Sequence, residues 1–252
     1  MTALTDGPEL VRVPVDGPAD AAFTTRVGGV SSGAYRSCNL AVGTGDRNGD
    51  VAENRRRVSA ALGLRLDRVS MGTQVHGVRI REVRGAHDPR FDDVVAERPE
   101  GDGLLTRDAD RALLVVVADC VPVLLWRRDR PGVSALHCGW RGVAGGLVAS
   151  GVAALGDPAA TGMAIGPGIG PCCFEVGPEV RDRFARDFGE EVVHGRTLDL
   201  VGAIRRDASR AGVAESAIWT LAACTKCDGE RWFSYRRDGA HTGRQAGIIR
   251  AV

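Results

Sequence analysis

The chain of 252 residues has almost no lysine: Lys226 is the only one, and every other member of its 33 basic residues is arginine. The 33 basic residues face 32 acidic ones, a formal net charge of +1. No global field therefore draws the chain to nucleic acid or to an anionic membrane surface. With arginine this abundant, most guanidinium groups are expected to be solvated surface charges, so an arginine alone marks no site. Long apolar runs are missing too. The longest, such as residues 112–118, fall far short of the roughly 20 residues a spanning helix needs. Residues Met1-Thr2-Ala3-Leu4-Thr5-Asp6-Gly7-Pro8-Glu9 have neither a basic start nor an apolar core, so no secretory leader is expected. Seven cysteines in a long chain without an export signal argue for reduced thiols rather than a disulfide framework. The expected location is the cytoplasm. Repeats, low-complexity tracts and linkers are also absent. An apolar content of 44% is enough to bury a real core, and the expectation is one catalytic domain over residues 1–252.

What is present begins with strand signals. Residues 112–118, 121–126 and 132–136 are short, β-branched and continuously apolar, as strands buried on both faces tend to be. Residues 22–25, 69–71, 78–83, 161–165, 218–221 and 231–236 are further strand candidates. Residues 50–64 read as a helix with Val51, Val58, Ala61 and Leu62 on one face and a capping-box-like Asp50/Glu53 start. Small residues at 142–155 suggest a helix that packs tightly on the sheet. Pro178 opens a helix with the stripe Val180, Phe184, Phe188, stopped by Gly189. A last helix covers 198–211. The pattern predicts an α/β (α+β) domain with a mixed β-sheet packed by helices.

Three segments carry chemistry: Thr73-Gln74-Val75-His76-Gly77, Ala118-Asp119-Cys120-Val121-Pro122 and His137-Cys138-Gly139-Trp140-Arg141-Gly142. His76 sits in a glycine-flanked turn, and Cys120 and His137 each sit at the end of an apolar strand. Two imidazoles and one thiolate make the ligand set of an open zinc site, with one position left for water or substrate. Strand alternation points Asp119 away from Cys120, and Cys138 away from His137. Asp119 is therefore expected to support the site from behind, and Cys138 is not expected to be a fourth ligand. Cys224-Thr225-Lys226-Cys227 is a lone CxxC, at best half a zinc knuckle, and Cys172-Cys173 is a vicinal pair beside Pro171. Residues 166–171 form a Gly/Pro turn that can present N–H groups to an anion, without the spacing of a P-loop or dinucleotide fingerprint. Arg26 and Arg141 are the arginines expected near an anionic ligand, since a planar guanidinium binds phosphate oxygens in pairs.

Taken in order, the motifs resemble one family. They are Thr25-Arg26-x-Gly28-Gly29-Val30-Ser31, Asn39-Leu40, Asn54-Arg55, Gln74-Val75-His76-Gly77, Ala118-Asp119-Cys120-x-Pro122 and His137-x-Gly139-Trp140-Arg141-Gly142. They continue through Gly166-Pro167-x-Ile169-Gly170-x-Cys172-Cys173-Phe174-Glu175-Val176, Cys224-Thr225, Phe233-Ser234-Tyr235-Arg236-Arg237 and Thr242-Gly243-Arg244-Gln245. The family is the YfiH-like, laccase-domain or "polyphenol oxidase" group, now regarded as purine nucleoside phosphorylases. The resemblance implies a mixed α/β domain with zinc on His76, Cys120 and His137. It implies phosphorolysis of adenosine, inosine, guanosine and S-methyl-5′-thioadenosine, with deamination of adenosine beside it. Copper-dependent oxidation of phenols and editing of peptidoglycan precursors are other activities attached to the family.

Within that expectation, inorganic phosphate and a purine nucleoside meet Arg26, Asn39, Gln74 and Arg141. Deamination needs an acid, for which Glu175 and Asp119 are the candidates; the HxE and PCxxC motifs of known zinc nucleobase deaminases do not occur. A metal-free thiol hydrolase using Cys120 with His137 is an alternative, as is a metal-stabilised binding module without activity. Copper (Cu2+) instead of zinc (Zn2+) is a weaker fit, because five histidines are too few for several copper centres. The working unit is expected to be a monomer or homodimer.

Overall fold

The computed structural model describes residues 7–85 and 88–252, so most of the stretch used to argue against a leader lies outside the described residues. The first half of the chain runs β1 (Leu10–Arg12), β2 (Ala19–Thr24), α1 (Asn48–Ala61), β3 (Val69–Ser70), β4 (Ile80–Glu82) and β5 (Gly103–Thr106). Then come β6 (Ala112–Val117), β7 (Val121–Arg127), β8 (Val133–Cys138), α2 (Trp140–Ala144), α3 (Leu147–Leu155) and β9 (Thr161–Ile165). The remainder is α4 (Pro178–Phe188), β10 (Val193–His194), β11 (Thr197–Leu198), α5 (Leu200–Arg210), β12 (Ile218–Thr220), α6 (Tyr235–Asp238) and β13 (Gln245–Ala251). No helix among the described residues is long and apolar enough to cross a membrane.

Among the described residues the expected mixed sheet is in fact two mixed sheets, ordered β1-β2-β13-β6-β3 and β12-β9-β7-β8-β5-β4, with β10 and β11 paired as a separate antiparallel ribbon. They pack face to face between two helical layers, and residue parity shows why the central strands are apolar throughout. Leu113 and Val115 of β6 face the inter-sheet core with Leu124, Trp126, Ala135 and Ala164. The alternate residues Ala112 and Leu114 pack with Val58 of α1. On the second sheet Val123, Leu125, Leu136 and Met163 face α3, α4 and α5. A strand with core on both sides has no solvent face to make polar.

Several local expectations are corrected. The first helix starts at Asn48, so Asp50 lies in its first turn, not at its cap, and Glu53 pairs with Arg56 and Arg57. The helix over 142–155 is two helices, because Gly146 adopts φ +83° and resets the chain direction. Residues 231–236 are not a strand: Ser234 accepts the Arg237 N–H at 3.2 Å and caps α6. The late strand is instead β13, between β2 and β6 in the middle of its sheet. Its Gly247 has little room to be larger, since a Cβ there would lie 2.9 Å from Pro122.

Close approach between the sheets is also set at Gly166, where a Cβ would lie 2.3 Å from the ring of Phe23. Gly166→Ala is expected to overpack this layer and cost about 1–3 kcal/mol in a urea-unfolding measurement. An unchanged midpoint would mean the sheets separate freely there.

Candidate active site

The functional segments converge where the chain passes from one sheet to the other. β6 ends in the first sheet and β7 begins in the second, with residues 118–120 between them. Asp119 makes this crossing with φ +86°. β7 and β8 pair antiparallel with Pro122 opposite His137 and Val121 opposite Cys138. His137 therefore shares the parity of Ala135 and points toward the inter-sheet layer, while Cys138 is buried in the helix-side core. The ligand atoms of His76, Cys120 and His137 lie within 4.8 Å of one another. The two imidazoles meet edge to face, their centroids 4.8 Å apart.

One residue that sequence reasoning missed organises this cluster. Asp102 is fully buried. Its carboxylate accepts the backbone N–H groups of Val75, His76 and Gly77 at 3.0, 2.9 and 2.8 Å. It also lies 2.8 Å from Nδ1 of His137. Those bonds allow the 75–77 turn to form even though His76 takes φ +62°. With Nδ1 held by the carboxylate, Nε2 of His137 is the nitrogen left for a ligand. Burial opposes the Asp102 charge, but the His137 and backbone hydrogen bonds outweigh it and hold the carboxyl below its ordinary range.

Electrostatics favour a thiolate at Cys120. Desolvation raises its pKa, yet His137 and His76 overcome this and bring it down to about 6. Reciprocally, and against its own desolvation, His137 is raised to about 9 by Cys120 and Asp102.

The three residues line a cavity of about 660 Å³, a size typical of small-molecule sites. Gln74, Asp119, Trp140, Arg141, Phe174, Tyr235, Arg236 and Arg244 line it as well. Arg141 stacks over Trp140 at 4.4 Å, and no carboxylate pairs with it among the described residues. Gln74 holds the end of β6 through both amide atoms: Nε2 donates to Val116 O at 2.8 Å and Oε1 accepts Val116 N–H at 2.9 Å. Asp119 accepts Thr225 Oγ1–H at 2.7 Å and Arg236 N–H at 2.6 Å.

Three expected residues do not reach the cavity wall. Arg26 donates to the carbonyls of Arg36 and Gly229 at 2.8 and 2.7 Å and covers the ring of Phe233, so its guanidinium ties loops together. Asn39 is buried; its amide bonds Ala41 O and Asp46, and its oxygen accepts Arg244 N–H at 2.9 Å. It shapes the 41–44 stretch of the cavity wall from behind. Glu175 is exposed and faces Arg196 at 3.7 Å, on another part of the surface. Arg236 and Arg244 stand where Arg26 was expected. Both lay in motifs noted from sequence, but nothing in an arginine-rich chain separated them from the rest.

A family model described as multi-copper polyphenol oxidoreductase laccase matches residues 20–251. The chain belongs to this family, the YfiH-like laccase-domain proteins. It is 39% identical over 243 residues to a purine nucleoside phosphorylase of Deinococcus radiodurans, covering 90% of this chain and 87% of that one. It is 36% identical over 245 residues to purine nucleoside phosphorylase YlmD of Geobacillus stearothermophilus, covering 92% and 89%. The crystal structure of YlmD from Geobacillus stearothermophilus matches with a TM-score of 0.88 at 34% identity, over 95% and 94% of the two chains. That of the Bacillus licheniformis protein YfiH matches at 0.89 and 28% identity over 98% of each.

Two outcomes follow from this geometry. Asp102→Asn should weaken metal binding at the His/Cys cluster about 10- to 100-fold in a chelator competition; unchanged affinity would remove Asp102 from the site. In metal-free protein the alkylation rate of Cys120, resolved by peptide mass spectrometry, should climb as pH rises through about 6 rather than through the ordinary thiol value of 9.0. The thiolate is the reactive form and exists above the folded pKa, so His137→Ala should move that midpoint upward.

Proposed function

We propose that this chain is a cytoplasmic, zinc-dependent purine nucleoside phosphorylase that works as one catalytic domain. The observation that carries the reading is the convergence of His76, Cys120 and His137 on a cavity whose wall also holds Arg141, Arg236 and Arg244. Relatives named as purine nucleoside phosphorylases over about nine-tenths of the chain support it.

The donor set fits zinc. Two histidines and one cysteine leave one position open, and Asp102 orients one of the imidazoles. A blue-copper centre adds an axial thioether to such a set, but among the described residues no methionine lines the cavity. A coupled copper cluster needs further histidines, and among the described residues His76 and His137 are the two that line it. When bound, zinc supplies Lewis acidity at the wall that His76, Cys120 and His137 share.

The chain's own residues account for the rest of the reaction. Trp140, Phe174 and Tyr235 offer flat apolar surface to a purine and its ribose. Arg141, Arg236 and Arg244 supply the positive charge that a phosphate anion needs to sit against C1′. A phosphate oxygen bonds to C1′ as the N-glycosidic bond breaks, and the base leaves with the bonding pair and takes up the proton that the hydrogen phosphate gives up on forming the ester. Asp119 does not act as an acid in this scheme, since both its oxygens hold the Thr225 and Arg236 loops. Deamination of adenosine therefore lacks an evident acid, with Glu175 directed elsewhere.

The low pKa of Cys120 favours one second reading, a metal-free thiol hydrolase with His137 as base. A single assay separates the two. Zinc-loaded protein with inosine should release free base and ribose 1-phosphate only when phosphate is present. Cys120→Ala should lose zinc from this site and at least about 100-fold of turnover, and Arg141→Ala should raise the KM for phosphate about 10- to 100-fold. Full turnover by metal-free protein, or product without phosphate, would overturn the phosphorylase reading.

A further inference from the structure

Of the six cysteines that take no part in the site above, Cys38 and Cys138 are buried in apolar cores and four lie together. Cys172 and Cys173 follow β9, and Cys224 and Cys227 follow β12. β9 and β12 are parallel neighbours, so both loops leave the same end of the sheet. Their pairing continues beyond the strands as a bridge between Gly168 and Cys224, with Thr225 N–H donating to Gly168 O at 3.0 Å. Cysteines that are about 50 residues apart thus meet. Sγ of Cys227 lies 3.6 Å from that of Cys172 and 3.4 Å from that of Cys173. All four sulfurs lie within 4.8 Å of one another.

Local geometry allows adjacent cysteines to converge. In a strand, Cys172 and Cys173 would point to opposite faces. Here the N–H groups of Cys173 and Phe174 both donate to Gly170 O at 3.0 Å, closing a turn that turns both thiols toward Cys227. Gly170 leaves the space they need, because a Cβ there would lie 3.3 Å from Cβ of Cys224 and 3.4 Å from Sγ of Cys172. Its N–H donates to Sγ of Cys224 at 3.3 Å, the kind of backbone bond that stabilises a thiolate.

We propose that Cys172, Cys173, Cys224 and Cys227 form a second metal site, a closed tetrathiolate shell for zinc or a similar thiophilic divalent cation. Structural zinc closes its shell with four protein ligands at about 2.3 Å, which sets sulfur–sulfur edges of about 3.8 Å. The observed separations already approach those edges. The charge pattern agrees. Four crowded thiols cannot all ionise without a counter-charge, and a divalent cation is that counter-charge.

The site braces the active cavity without belonging to it. Thr225, between two of the ligands, donates to Asp119, and Phe174, beside a third, lines the cavity. A cation here would tie the 166–175 and 223–228 stretches together behind that wall.

The test is metal content and ligand type in the full chain, purified reduced, equilibrated with zinc and desalted. Wild type should retain about two equivalents, and Cys224→Ser/Cys227→Ser about one. His76→Ala/Cys120→Ser should also retain about one, and X-ray absorption should show that zinc with sulfur neighbours only. If the Cys224/Cys227 variant does not fold, absorption on the His76/Cys120 variant decides alone. Loss of all zinc from the His76/Cys120 variant, a zinc with nitrogen or oxygen neighbours in it, or a disulfide among these four cysteines in reduced protein would overturn the proposal, whereas one sulfur-bound equivalent in wild type would uphold it and count against zinc at the His/Cys site.

Discussion

A single buried carboxylate holds the candidate active site together. Burying a charge costs several kcal/mol unless its lone pairs are matched, and Asp102 is matched by three backbone N–H groups and an imidazole. Sheet register delivers it there. Gly103 of β5 pairs with Leu136 of β8, which places residue 102 opposite residue 137. The 75–77 turn then wraps around the same carboxylate, so the positions of both histidines derive from one anion. Cys120 arrives independently, on the crossing between the sheets. The donor cluster thus depends on both sheets being in register.

Arginine is used in two distinct ways. Arg55 is nearly fully buried and bonds the carbonyls of Leu40 and Phe91, joining α1 to two loops. Arg111, also buried, bonds Ser70 and Gly85, and Arg26 bonds Arg36 and Gly229. These guanidinium groups are cross-links for irregular backbone, whose carbonyls would otherwise be unpaired. Arg141, Arg236 and Arg244 line the cavity, and two of them serve both roles, Arg236 donating to Glu175 O and Arg244 to the carbonyls of Thr242 and Gly243. A fork of five donors serves both roles equally well, which is why abundance alone tells them apart so poorly.

Chemistry rather than the family's description orders the readings of the site. The matching model carries a multi-copper oxidoreductase description, while relatives of similar length are named purine nucleoside phosphorylases. The donor set here is a mixed His/Cys cluster beside an arginine-lined, partly aromatic cavity. That combination suits an anionic co-substrate and a flat heterocycle better than it suits electron transfer through several metals.

The sequence by itself determined whatever is encoded within a few residues. The apolar runs of β6, β7 and β8, the Pro178–Phe188 helix and the placing of His137 near a strand end were legible, because period and punctuation act locally, while Cys120 lies on the crossing between β6 and β7 rather than in a strand. Parity in β8 also separated His137 from Cys138 correctly. Tertiary structure alone decided the rest. It split one expected sheet into two and put Gly- and Arg-containing β13 at the centre of one of them. It assigned Arg26 and Glu175 to surface and loop contacts instead of the cavity, and brought in Asp102 from 35 residues away. It also turned a CxxC and a vicinal pair into one cluster of four thiols. The physical reason is common to all of these. They depend on which strand lies beside which, and pairing across tens of residues leaves no mark in the local pattern of either partner.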